Sequence, residues 1–179
     1  MMFFHKPTKR LHSRTTPMEI SQTQSSAGPP AGAVSGQYLT LRLGDEEYAI
    51  EILRVQEIRS YEQPVHMVNS PSFIKGVVNL RGVIVPIVDL RLKLNLSSAD
   101  YTDFTVVIIL NIHGAVVGAV VDAVSDVVTL DARTIRPAPQ FESAIESRFI
   151  VGLADVGERM LIVMNMETLL SNAELGMAH

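Results

Sequence analysis

The sequence predicts a mostly β domain, either a sandwich or a set of small barrels, and three observations predict it. Apolar residues make up 47% of the 179-residue chain while aromatics are only 6% and Trp is absent, so the core is aliphatic and rich in residues that suit strands. Short Val-, Ile- and Leu-rich runs recur between Gly-, Asn- and Asp-containing turns, roughly nine or ten of them. Helical patterning is confined to a few short stretches. Closed barrels would remove the exposed edges that so many branched strands otherwise offer to aggregation.

The elements follow in order. Residues 38–43, YLTLRL, alternate, with Leu39, Leu41 and Leu43 on one face and Tyr38, Thr40 and Arg42 on the other, the period of a half-buried strand. Gly44-Asp45-Glu46-Glu47 turns the chain, and EYAI at 47–50 completes a hairpin. Residues 50–58, IEILRVQEI, fit one helical turn followed by a strand through Val55 and Ile58. Ser70-Pro71 and Gly76 carry the start and stop signals of one short helical turn. Residues 76–91, GVVNLRGVIVPIVDLR, predict a hairpin turning at Arg81-Gly82, where Gly82 supplies positive φ. Pro86 cannot donate to a ladder, which predicts an edge strand or a bulge. Further strands are expected at 105–110, 115–122, 124–130, 149–156 and 159–164, with turns at His113-Gly114 and Gly157-Glu158. Asn165 caps a last helix over METLLSNAEL, which Gly176 ends. No internal repeat of fixed period is visible.

Charge divides the chain. Residues 1–35 carry four Lys/Arg against one Glu and include SQTQSSAGPPAGAVSG running into Gly36, a composition that cannot offset its own ordering entropy. Residues 36–179 carry 11 basic against 18 acidic residues. A disordered tail at 1–35 and a folded domain at 36–176 are therefore expected. Met18 is a candidate native start, with 1–17 as an over-called extension. The N-terminus places apolar residues before its charges, unlike a secretory signal, and a transit peptide is the weaker alternative. The longest apolar stretch, 115–121, is far short of the roughly 20 residues of a membrane-spanning helix. A net charge of −4 argues against a nucleic-acid binder. The absence of Cys removes disulfides and thiolate metal sites, and fits a reducing compartment without excluding export.

Motifs for catalysis are missing. The five histidines lack metal-ligand spacing, and neither phosphate-binding nor nucleophile-elbow patterns occur. Asp89, Asp103, Asp122 and Asp126 sit where strands end, and Met160, Met164 and Met166 read as adaptable core filler. A small hydrolase would have to use Asp89 or Asp122 with Arg81, and no nucleophile accompanies them. What stands out is Arg81, a permanent charge within the most hydrophobic stretch, together with Glu57 and more branched surface at 106–108 and 124–128 than the inside of a small barrel needs. A turn Arg is usually only solvated, so patterning leaves both a solvated and a partner-binding Arg81 open.

At these residues the sequence resembles the family of bacterial chemotaxis coupling proteins, CheW. The similarity lies in NLRGVIVPIVDLR at 79–91 and in blocks at 43–59, 73–79, 105–111, 116–127, 135–139 and 157–170, in order and covering about residues 36–172. It implies two five-stranded SH3-like β-barrels packed side by side, with short helical turns and a C-terminal helix. It further implies a cytoplasmic, non-catalytic adaptor without cofactor or metal, linking chemoreceptor tips to the regulatory domain of the histidine kinase CheA at membrane-associated arrays. Neither nucleic acid nor membrane insertion belongs to that role. An adaptor in a pilus-motility or developmental pathway is the alternative within the same fold. The receptor-binding positions implied by the resemblance are Val55, Glu57, Arg81, Ile84, Val106, Val107 and Val127. There, branched residues would line a groove between barrels for a helix, and Arg81 would pair with a carboxylate or cap carbonyls.

Overall fold

Ten strands fall into two five-stranded sheets in a computed structural model that describes residues 28–96, 100–139 and 146–177. The strands are β1 (Gly36–Leu43), β2 (Glu46–Glu51), β3 (Val55–Ser60), β4 (Ile74–Leu80), β5 (Val83–Asp89), β6 (Val106–Ile112), β7 (Ala115–Val121), β8 (Ala123–Leu130), β9 (Ile150–Val156) and β10 (Arg159–Met164). Short helices α1 (Leu90–Lys93), α2 (Met166–Leu169) and α3 (Asn172–Leu175) follow β5 and β10. One sheet runs β8-β1-β2-β10-β9 and is called here the terminal barrel. The other runs β3-β6-β7-β5-β4 and is the middle barrel. Tail residues 1–27 lie outside the described set, whereas Ser35 Oγ already accepts a bond from the Ala132 N–H, 2.7 Å, just before β1.

The two barrels share one plan. Each has an antiparallel hairpin at its centre, β1–β2 or β6–β7, an edge strand beside it, β8 or β3, and a second hairpin, β9–β10 or β4–β5, attached through a parallel pairing. The registers coincide. Leu39↔Val127 and Leu41↔Val124 in one barrel answer Ile108↔Ile58 and Leu110↔Val55 in the other, with a bulge at the same place. Val163↔Ala49 answers Ile87↔Gly118. The chain thus reads hairpin, edge strand, hairpin twice over, and each barrel combines a hairpin from one half with three strands from the other. The halves share backbone devices more than residues, and the spacing of equivalent positions shifts between their parts, so a fixed-period comparison of the sequence misses them.

Strand edges curl toward closure in the same way in both barrels. An isolated bridge joins Val65 to Val77 in one and Arg136 to Leu153 in the other. Beside each bridge a glycine leaves no room for a side chain: a Cβ on Gly76 would lie 2.1 Å from the Val65 carbonyl oxygen, and one on Gly152 2.3 Å from that of Arg136. Between the barrels lies the largest core, built from Leu39, Leu41 and Leu43 on one side and Ile108, Leu110 and Ile112 on the other. Each barrel also has its own interior. Lys93 sits near Phe73 and Phe149, equivalent positions of the two halves, with Nζ 4.7 and 5.5 Å from the ring centres and 3.0 Å from Glu174 Oε2.

Several local expectations hold. The hairpin at 76–91 turns at Arg81-Gly82, where both residues have positive φ, 52° and 88°, as a two-residue primed turn requires. Asn79 Oδ1 accepts from the Gly82 N–H there, as Asn111 Oδ1 does from Gly114 in the β6–β7 turn. Asn165 caps α2, and Gly176 closes α3 in the left-handed region.

Other expectations are corrected. Tyr38 and Thr40 are buried like their leucine neighbours, because β1 is covered by barrel interior on one face and by the interlayer core on the other. Residues 70–76 form a turn into β4 rather than a helix, with Ser70 Oγ donating to the Met67 carbonyl. The C-terminal helix is two helices, because Ser171 caps a new start through the Glu174 N–H. Pro86 lies on an interior strand, tolerated because the β5–β7 ladder begins only at Ile87.

Candidate functional site

The turn between β4 and β5 projects Arg81 into solvent, its side chain 77% exposed, and Nη2 donates to Glu57 Oε2 across 2.9 Å. Glu57 sits on β3, the edge strand, so the pair ties edge to hairpin tip. Arg59, two residues along β3, adds a longer contact of 3.4 Å to Glu57 Oε1. Glu57 is held below its ordinary pKa, first by the Arg81 hydrogen bond and then by the charges of Arg81 and Arg59. Two guanidinium forks therefore share one carboxylate, leaving donors in surplus at the surface.

Apolar side chains surround this charge cluster. Ile84, 61% exposed, and Val83 stand on the hairpin beside Arg81, and Ile58 is exposed on β3 between Glu57 and Arg59. An exposed apolar group rimmed by charge is the anatomy of a protein-binding surface.

The seven residues expected at a receptor surface fall into separate places. Glu57 and Arg81 are bonded, with Ile84 on the same hairpin tip. Val55 and Val106 are half-buried and pack on the interlayer core, opposite Leu110 and Val121 respectively. Val127 is exposed on β8 of the terminal barrel, at the position equivalent to Ile58. Val107 is 5% exposed and points into the middle barrel with Val85, Ile87 and Ile109. Strand alternation sends Val107 inward and Ile108 to the interlayer core, so both faces of β6 are consumed by packing, contrary to the surplus expected at 106–108.

Sequence reasoning missed Arg59, Ile58 and Val83. It also missed a second carboxylate–Arg tie in the terminal barrel. Arg159, on β10, grips Asp126 of β8 with two bonds of 3.0 Å and donates to Glu47 at 2.8 Å. Asp126 is held below its ordinary pKa, first by the Arg159 hydrogen bond and then by that from Thr40. The signal was present: VQEI at 55–58 and VSDV at 124–127 place the two carboxylates at equivalent edge positions.

The carboxylates considered for hydrolysis have structural duties. Buried Asp89 accepts from the N–H groups of Arg91 and Leu92 at the start of α1 and from the Tyr101 hydroxyl at 2.7 Å. Asp122 accepts from the Gly44 N–H and pairs with Arg91. Arg81 bonds Glu57 rather than either aspartate. Among the described residues, no group of three His, Asp or Glu side chains is placed to hold a metal.

A pair of β-barrels whose exposed features are a charge cluster and apolar side chains defines an interaction module. The CheW-like domain matches residues 37–174. The chain is 53% identical to the chemotaxis protein CheW of Klebsiella aerogenes over 148 residues, 82% of this chain and 89% of that one. It is 37% identical to a probable chemotaxis protein CheW of Rhizobium etli, covering 77% and 89%. The crystal structure of the scaffolding protein TtCheW from Thermoanaerobacter tengcongensis superposes with a TM-score of 0.70 at 28% identity, covering 77% of this chain and 89% of that one. The chain belongs to the CheW family. It is accordingly a chemotaxis adaptor and not an enzyme.

Proposed function

We propose that this chain couples the cytoplasmic tips of chemoreceptors to the regulatory domain of the histidine kinase CheA, with residues 36–176 as the functional unit. The observation that carries the reading is the Glu57–Arg81 pair, solvent-exposed and flanked by exposed Ile58, Val83 and Ile84. A helical tip would lay its apolar face on these residues and on the neighbouring edges of Val55 and Val106. Val127 would extend the surface onto the second barrel. A carboxylate or a helix C-terminus of the partner would compete with Glu57 for Arg81, exchanging an exposed pair of little net worth for a desolvated one. The chain would reach the membrane through its partners: no helix among the described residues is long and apolar enough to cross one.

Reconstitution tests the reading. The protein is mixed with CheA and a receptor-tip fragment, and phosphorylation by the kinase is followed. Kinase activity rises and comes under receptor control only when the protein is present. Arg81→Glu keeps the wild-type circular dichroism spectrum and loses roughly tenfold or more in receptor affinity, as removal of an interface anchor does. A folded Arg81→Glu protein that binds normally removes Arg81 from the interface.

A further inference from the structure

The two barrels close around different interiors. Tyr38 stands opposite Val128 on β8, and Val107 stands opposite Arg59 on β3, in the same register. In the terminal barrel the Tyr38 ring fills the interior among Ile135, Ala154 and Val163 and is 2% exposed. Its hydroxyl donates to the Val34 carbonyl at 2.5 Å. In the middle barrel the same position carries only a valine. A cleft of about 90 Å³ remains there, floored by Val107, Ile109 and Ile87 and opening between Arg59 and Ser60 of β3 and Leu80 of β4.

We propose that this cleft is a socket for one apolar side chain of a partner protein, filling from outside the space that Tyr38 fills from inside in the other barrel. The inference rests on the coupling role and names the receptor tip as the occupant. The volume admits a single side chain of leucine, isoleucine or methionine size, not a helix. The lip beside Arg59 selects its neighbour: among the described residues Arg59 and Arg81 share only Glu57, so a partner carboxylate next to the inserted side chain meets further guanidinium donors. Glu62 on the same lip disfavours a second acidic residue there. The occupant is thus an apolar side chain with a carboxylate on one flank, in line with the pairing surface at Arg81 and continuous with it.

The test fills the socket as the terminal barrel does. Val107→Tyr supplies the ring in place, and Arg59→Trp, at the exposed residue opposite Val107 on the same face, covers the mouth without entering the core, with Arg59→Gln as the control for the lost charge. Circular dichroism and urea midpoints establish folding; calorimetry with a receptor-tip fragment measures affinity. Methyl NMR of the wild-type protein follows Ile87, Ile109 and Val107 during the titration. The expected result is folded variants with at least a tenfold loss of affinity, and wild-type methyl shifts at the cleft floor on binding. Should Val107→Tyr fail to fold, a larger loss for Arg59→Trp than for Arg59→Gln and the methyl shifts decide. Normal binding by Val107→Tyr and Arg59→Trp, with Arg81→Glu still impaired, overturns the socket and leaves the coupling role standing. Variants that lose only kinase binding overturn the receptor as occupant. A wild-type protein that does not bind the fragment removes the coupling reading and the socket together.

Discussion

In the terminal barrel, Arg159 holds Asp126 with two bonds and reaches Glu47 as well, and Tyr38 fills the interior. In the middle barrel, Arg81 holds Glu57 with one bond in the open, beside an interior left partly empty at Val107. The strands, registers, bulges and bridging glycines are the same in both. What differs is how completely each barrel satisfies itself. One interior is filled by Tyr38 and its arginine makes three carboxylate bonds, while the other keeps a cleft at Val107 and its hairpin arginine makes one. A single architecture therefore carries two different interiors and two different carboxylate–arginine ties, and the difference lies in a few side chains at equivalent positions.

The comparison can be broken most severely at what the barrels share. Gly76→Ala and Gly152→Ala drive a methyl group into a carbonyl oxygen, and each is expected to cost on the order of 3 kcal/mol or more in urea unfolding. Gly76 suffers the larger loss, because its φ of 146° is also unfavourable for alanine. Equal tolerance at both sites would deny the shared closure.

A smaller effect comes from making the terminal barrel resemble its counterpart. Tyr38→Val empties a packed interior and breaks the bond to Val34, with an expected cost of about 2–3 kcal/mol. A loss much under 1 kcal/mol would mean that the terminal interior collapses around the gap and that the two barrels are not packed differently.

The smallest effects sharpen the contrast in charge. Arg159→Gln should lower the thermal midpoint by a few degrees, and Arg81→Gln should leave it nearly unchanged. Both should alter the acid limb. Glu57 and Asp126 have folded pKa values below their ordinary 4.5 and 3.8. Their contributions are therefore present above those values and fade as pH falls through the depressed folded ones. Removing either arginine flattens the decline in stability below about pH 4.5, more for Arg159→Gln. An unchanged acid limb in both variants would deny that the arginines set these carboxylates.

Much of the fold was legible because its signals are local. The turn at Arg81-Gly82, the cap at Asn165 and the stop at Gly176 depend on residues within a few positions of one another. Of the seven positions that the resemblance implied, the structure brings Glu57 and Arg81 into one bonded pair beside Ile84 and buries Val107 in the middle barrel. A run such as VVI does not say which face of a strand is covered when both are.

The sequence by itself determined where strands begin and end, where they turn, and which family the chain resembles, since those follow from turn chemistry, β-propensity and ordered motifs. Only the tertiary structure decided that β10 lies beside β2 and β5 beside β7, so that each barrel draws on both halves of the chain. It also decided that Tyr38 fills one interior where Val107 leaves the other open. The physical reason is that pairing between distant strands is selected by register and by the volume available behind them, quantities that exist only once both sheets have packed.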